Sequence, residues 1–193
     1  MTQQSTIVAR GANFVFARNF VHQHYGPEAW ARVLARLSPE HRRLWESPLM
    51  LIGTYDFGAF KATAAAVGEE TGAGDRALAA MYEYAADQSL NTLYKVFFRL
   101  ANPAFVIGNF PKLWPRFFTA GEVRVENVSR DRAELRFSVP QIFLDWLGPA
   151  CLGYSSKAVQ LAGGTGVRVR EIDRRAGGDG KWEVGYEVSW VLN

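Results

Sequence analysis

Apolar residues follow two regimes along the chain. Up to Phe118 they recur at helical spacing, and from Glu122 onward they alternate with polar residues. Val8 to Tyr25 carries Phe14, Phe16, Phe20 and Val21 without a proline, which predicts a helix. Tyr25-Gly26-Pro27 ends it, because glycine suits a C-terminal cap and proline the first turn of the next helix. That helix is Glu28 to Leu37, with Trp30, Val33, Leu34 and Leu37 on one face. Ser38-Pro39-Glu40 predicts a short third helix capped by the serine, and Ser47-Pro48 breaks the chain. Asp56 caps an alanine-rich helix to Glu70, with a turn at 71–74. A longer helix is expected over Asp75 to Leu100. Asn102-Pro103 restarts a helix toward Phe110, whose length Pro111 and Pro115 limit.

The second regime begins at Ala120. Glu122–Val128 and Ala133–Val139 alternate with period two and predict a strand pair joined by a turn at Ser129–Arg132. Ile142 to Ala162 reads as a helix stopped by Gly163-Gly164. Gly166–Ile172 and Lys181–Val191 predict two further strands around an Ala176–Gly180 hairpin loop. The expected fold class is α+β, in one domain over 1–193. Residues 1–118 form its mainly helical part, and 119–193 an antiparallel β-β-α-β-β unit.

Composition narrows the function classes. The 193 residues include 48% hydrophobic and 21% charged residues, as in a folded soluble chain. A net charge of +3 is too mild to imply nucleic acid as a partner. Seventeen of the 22 basic residues are arginines, and those of the C-terminal half are interleaved with glutamates, which predicts a solvated sheet face. One cysteine, Cys151, excludes an intrachain disulfide and a cysteine metal cluster, and suggests a cytoplasmic protein. No transmembrane segment and no signal peptide are expected. His22 and His24 are two apart and point to different helix faces, so a metal pair is not expected. No Gly-x-Ser-x-Gly motif is present, and no catalytic residues are assigned.

Two stretches carry a family resemblance. Gly11-Ala-Asn-Phe-Val-Phe-Ala-Arg-Asn-Phe-Val-His-Gln-His-Tyr25-Gly26, followed by Pro-Glu-Ala-Trp30, resembles the opening of H-NOX (haem–nitric-oxide/oxygen binding) domains. Tyr55 to Gly72, with Glu69-Glu70-Thr71-Gly72, is similar to a later H-NOX helix. The closing β-β-α-β-β unit, ending Tyr186-Glu-Val-Ser-Trp190, is similar to the same superfamily, which includes 4-vinyl-reductase-type domains and TRAPP transport subunits. Within it the resemblance is strongest to myxobacterial paralogous proteins, on Arg116-Phe-Phe-Thr-Ala-Gly and the terminal Tyr-x-Val-Ser-Trp. It implies an H-NOX-like fold in a bacterial ligand-binding, sensory or signalling protein.

The sequence departs from that pattern at the haem. H-NOX domains ligate haem through a mid-chain histidine, and here the histidines are His22, His24 and His41. Their propionate clamp, Tyr-x-Ser-x-Arg, is matched by Phe137, Val139 and Gln141, which have no hydroxyl pair and no guanidinium. No cofactor is expected, haem included. The aromatic run Phe97, Phe98, Phe105, Phe110, Trp114, Phe117 and Phe118 suits a core or the wall of a hydrophobic pocket. In the H-NOX-like register the ligand-pocket residues are Asn13, Ala17, Tyr84, Ala85, Ser89, Trp114, Phe117, Leu147, Cys151 and Tyr154. The leading expectation is a non-catalytic module holding a hydrophobic small molecule, lipid or tetrapyrrole-like. A protein-interaction adaptor, with a protein partner or as a homodimer, is the second. An enzyme acting on a tetrapyrrole-like substrate is the third.

Overall fold

The computed structural model describes the backbone of residues 7–98 and 102–192, and the side chains of 7–90 and 102–192. The expected end of the long helix at Leu100 and the side chains of Phe97 and Phe98 therefore lie outside the described residues. The chain divides into two compact units, 1–78 with 116–120, and 79–115 with 121–193.

The first unit opens on a short strand, β1 (Val8–Arg10), and a long helix, α1 (Gly11–Arg36). The periodicity predicted helix from Val8, but Val8–Arg10 pairs antiparallel with β2 (Thr54–Asp56). Three residues hold too little pattern to separate strand from helix. Phe14, Ala17, Phe20 and Val21 form the buried stripe of α1. Gly26 breaks the helix at φ 83°, in the left-handed region open to glycine, and Pro27 resumes it. α2 (Pro39–Trp45) is capped by Ser38, whose side chain accepts from the His41 N–H, and α3 (Phe57–Thr71) by Asp56, which accepts from the Ala59 N–H. Gly72 closes α3 in the left-handed conformation.

The core of this unit is aromatic. Phe14 packs against Phe60, Tyr55 and Trp45, and Trp45 meets Trp30 edge to face. Phe14, Phe57 and Phe60 are fully buried, each worth about 1.5–3 kcal/mol over an exposed side chain. Arg10 supplies no side-chain cap to α1. Instead the Gly11 and Ala12 N–H groups donate to the Gly53 and Leu51 carbonyls, so a turn at 50–53 closes the helix end. The Met50 N–H donates to the Tyr55 hydroxyl at 2.9 Å, and the Gly53 N–H to the Met50 carbonyl.

α4 (Asp75–Phe98) begins in the first unit and continues into the second. α5 (Pro103–Gly108) is capped by Asn102, and α6 (Phe110–Phe117) runs through Pro115 rather than stopping before it. Four antiparallel strands follow, β3 (Glu122–Glu126), β4 (Arg132–Pro140), β5 (Gly164–Ala176) and β6 (Lys181–Leu192), in the order β3-β4-β6-β5. A 3-10 turn at Gln141–Phe143 leads into α7 (Leu144–Leu161), which packs on β5 and β6. The β-β-α-β-β order is as read from the alternation.

Leu135, Phe137 and Val139 of β4, with Val184, Tyr186, Val188 and Trp190 of β6, are buried. The other face carries the mixed charges expected of a solvated face, with Arg136 paired to Glu126, Glu134 and Asp173, and Arg170 to Glu187. At this exposure each contributes about 0–1 kcal/mol. The β5–β6 register shifts twice, between Thr165 and Arg168 and between Glu171 and Asp173.

Candidate functional site

The ten expected pocket residues divide between the units. Asn13, Ala17 and Phe117 belong to the first, and Tyr84, Ala85, Ser89, Trp114, Leu147, Cys151 and Tyr154 to the second. In the first unit Asn13, 3% exposed, donates from Nδ2 to the Phe117 carbonyl at 2.8 Å and to the Arg10 carbonyl at 3.3 Å. It thereby ties α1 to the 116–120 segment, a structural task the helical pattern does not announce. Ala17 and Phe117 are buried.

In the second unit Ser89 of α4 and Tyr154 of α7 share a hydrogen bond at 3.3 Å, and the Tyr154 ring meets Phe110 edge to face. Trp114, half-buried, packs on Phe137 and Phe143 and donates from its indole to the Gly121 carbonyl. Phe143 continues to Trp146, and Trp146 to Tyr82. Ala85 and Leu147 are buried. Tyr84 is half-buried, and burial and the neighbouring Asp87 push its phenol up. α7 reaches α4 through Gly153, where a Cβ would lie 2.9 Å from the Ala79 Cα.

Cys151 is buried beside the Ser155 hydroxyl, and burial pushes its thiol up to about 12. A thiol held protonated is a poor nucleophile and a poor metal ligand. Sequence reasoning missed a neighbouring group. Tyr186 donates from its hydroxyl to Glu171 at 3.2 Å, and Glu171 is in turn paired with Arg174. Burial and the Glu171 charge push the Tyr186 phenol up, while Arg174 holds the Glu171 carboxyl down. The inward register of Tyr186 is visible in the strand alternation, but its partner across the hairpin depends on the register shift beside Glu171.

His22 and His24 are exposed on α1 and His41 lies on α2, all in the first unit. Phe137 and Val139 are buried, and Gln141 is exposed. Among the described residues, no three His, Cys, Asp or Glu side chains gather as a metal site would need. Among the same residues, no helix is long and apolar enough to cross a membrane.

Solved structures that share this architecture include H-NOX domains. The Fe(II) unliganded H-NOX protein from K. algicida superimposes with a TM-score of 0.70 at 15% identity, covering 95% of this chain and 97% of that one. This chain has an H-NOX-like fold. An oxygen-binding H-NOX domain related to soluble guanylate cyclases matches at a TM-score of 0.67 and 13% identity, over 94% of each chain. An H-NOX from T. Tengcongensis matches at 0.64 and 13%, over 92% of this chain and 94% of that one. No sequence-family description matches the chain, and no curated protein does. At such identities the likeness concerns the fold.

Proposed function

We propose that this protein is a non-catalytic ligand-binding or sensory module that holds a hydrophobic small molecule, lipid or tetrapyrrole-like, without H-NOX-type haem ligation. The observation that carries the reading is the H-NOX-like fold over nearly the whole chain combined with an aromatic interior. Fold likeness alone does not assign a function, so the site chemistry decides the finer reading. The residues present do not fit a histidine-held haem. His22 and His24 are exposed, and buried Phe137 and Val139 offer a propionate neither charge nor donor side chain. The expected site residues bring packing surface and isolated hydrogen bonds rather than an acid–base pair. Cys151, the one thiol, is held in its unreactive form.

Native and denaturing mass spectra of the purified full chain test the reading. Extra mass that disappears on denaturation supports it, and a bare chain after lipid and tetrapyrrole incubation overturns it. Added hemin is expected to give no stoichiometric histidine-ligated Soret spectrum, and such a spectrum would refute the haem part.

One observation favours the second reading, an interaction adaptor or homodimer, toward which the resemblance to TRAPP subunits leans. Met50, Leu51 and Ile52 are 62%, 52% and 78% exposed in succession. Light scattering tests it, and a strict monomer whose mass is unchanged by Ile52→Asp counts against a self-association surface there.

A further inference from the structure

A cleft of about 250 Å3 opens in the second unit between Glu83 of α4, the Ser156–Gln160 turn of α7 and residues 164–167 of β5. Its position follows from two backbone features. Gly153 brings α7 against the α4 backbone, and the walls of the cleft come from these same two helices. On the third side, Thr165 pairs with Val191 and Arg168 with Ser189, so Gly166 and Val167 both stand opposite Trp190. This bulge, with Gly166 at φ +61°, takes two residues out of the regular ladder. Bulges and strand glycines of this kind let a ligand approach the backbone.

The polar groups around the cleft are of both signs. Glu83 is exposed, and the structure records no hydrogen bond or ion pair for its side chain among the described residues; the same holds for the side chains of Ser156 and Gln160. Lys157 holds Asp87 at 3.1 Å. An ammonium group has three donors, so this bond leaves two. The Glu83 carboxylate of α4 and the Lys157 ammonium of α7, the latter already paired with Asp87 of α4, therefore line the same space. A simple anion would meet the Glu83 charge, and a simple cation would leave the two remaining Lys157 donors without an acceptor. A molecule carrying both charges satisfies each wall.

We propose that this cleft binds a small zwitterion of the free amino acid class. Its ammonium group would pair with Glu83, and its carboxylate with Lys157 and the peptide N–H groups of the bulge. The volume equals that of about eight waters and lies below the usual range for drug-sized ligands, which suits one amino acid. The site is independent of the apolar-ligand reading, because none of the expected pocket residues lines it.

The test is a 15N NMR titration of the full chain with each of the twenty free amino acids, using acetate and methylammonium as half-molecule controls. Saturable shifts are expected at the Gly164, Gly166 and Val167 amides for at least one amino acid, with a Kd below about 10 mM. That ligand should bind about fivefold or more tighter than either control. Glu83→Gln should weaken it about fivefold, the effect of roughly 1 kcal/mol, while Glu40→Gln on α2 leaves it unchanged. Unchanged amide shifts away from the cleft would show that Glu83→Gln still folds. No saturable shift for any amino acid, a half-molecule control that binds equally well, or a Glu83→Gln titration matching the parent protein would each overturn the proposal.

Discussion

Replacing Gly153 by alanine inserts a methyl group where α7 rests on the backbone of α4. The new Cβ would lie 2.7 Å from the Ala79 carbonyl carbon and 2.9 Å from its Cα, and closer still to the carbonyl oxygen. The carbonyl oxygen is the nearest obstacle and non-bonded contacts settle at about 3.5 Å, so the helices must separate by more than about 1 Å. No flexible side chain can give way, because the obstacle is main chain. The Ser89–Tyr154 hydrogen bond, already 3.3 Å, would then stretch beyond bonding distance. Overpacking costs about 1–3 kcal/mol and the lost hydrogen bond about 1 kcal/mol, against about 1 kcal/mol gained in helix propensity. The net expectation is a loss of about 1–3 kcal/mol, read in urea as a lower midpoint at unchanged m. Gly108→Ala is the contrast, since its Cβ would meet nothing within 4 Å and the variant should be neutral or slightly stabilised. A Gly153→Ala protein as stable as the parent would refute the claim that helix contact there is at its steric limit.

Three further outcomes are expected. Asn13→Ala leaves the buried Phe117 carbonyl without its amide donor and should cost about 1–3 kcal/mol in urea unfolding. Asp56→Ala removes the acceptor for the Ala59 N–H at the start of α3 and should cost about 1 kcal/mol, with a matching loss of helical circular dichroism on heating. Cys151 keeps its proton up to about 12 in the folded chain but loses it near 9 when unfolded. Its contribution to stability is therefore complete below pH 9 and falls above it, by up to about 1.4 kcal/mol per pH unit. Urea midpoints at pH 8 and pH 10 should differ less in Cys151→Ala than in the parent, and an unchanged difference would contradict the burial of the thiol.

Much of the fold is legible in the residues. Phe14, Phe20 and Val21 mark the buried stripe of α1, Ser38 and Asp56 act as the caps their types suggest, and the period of two in Leu135-x-Phe137-x-Val139 marks a half-buried strand. What escaped was set by distant partners. Val8–Arg10 is a strand because Thr54–Asp56 lies alongside, and no local pattern contains that information. α6 runs through Pro115 for a comparable reason, since Trp114 is held by Phe137, Phe143 and the Gly121 carbonyl. The candidate site was less legible. The helix face alone places Asn13, and the bonds of its amide to the Arg10 and Phe117 carbonyls cannot be read from that pattern. The cleft near Glu83 depends on a register shift in β5, and alternation alone reads through such a shift.

The turn at 50–53 is tied to the fold by hydrogen bonds of its main chain. Its carbonyls hold the start of α1, and its first N–H is taken by Tyr55. Met50, Leu51 and Ile52 therefore cannot be drawn inward without releasing those bonds, and they contribute little to the buried core. Their side chains are free variables: polar replacements should leave the folded state's stability nearly where it was. The aliphatic choice at three consecutive positions is thus not one that folding imposes on the sequence.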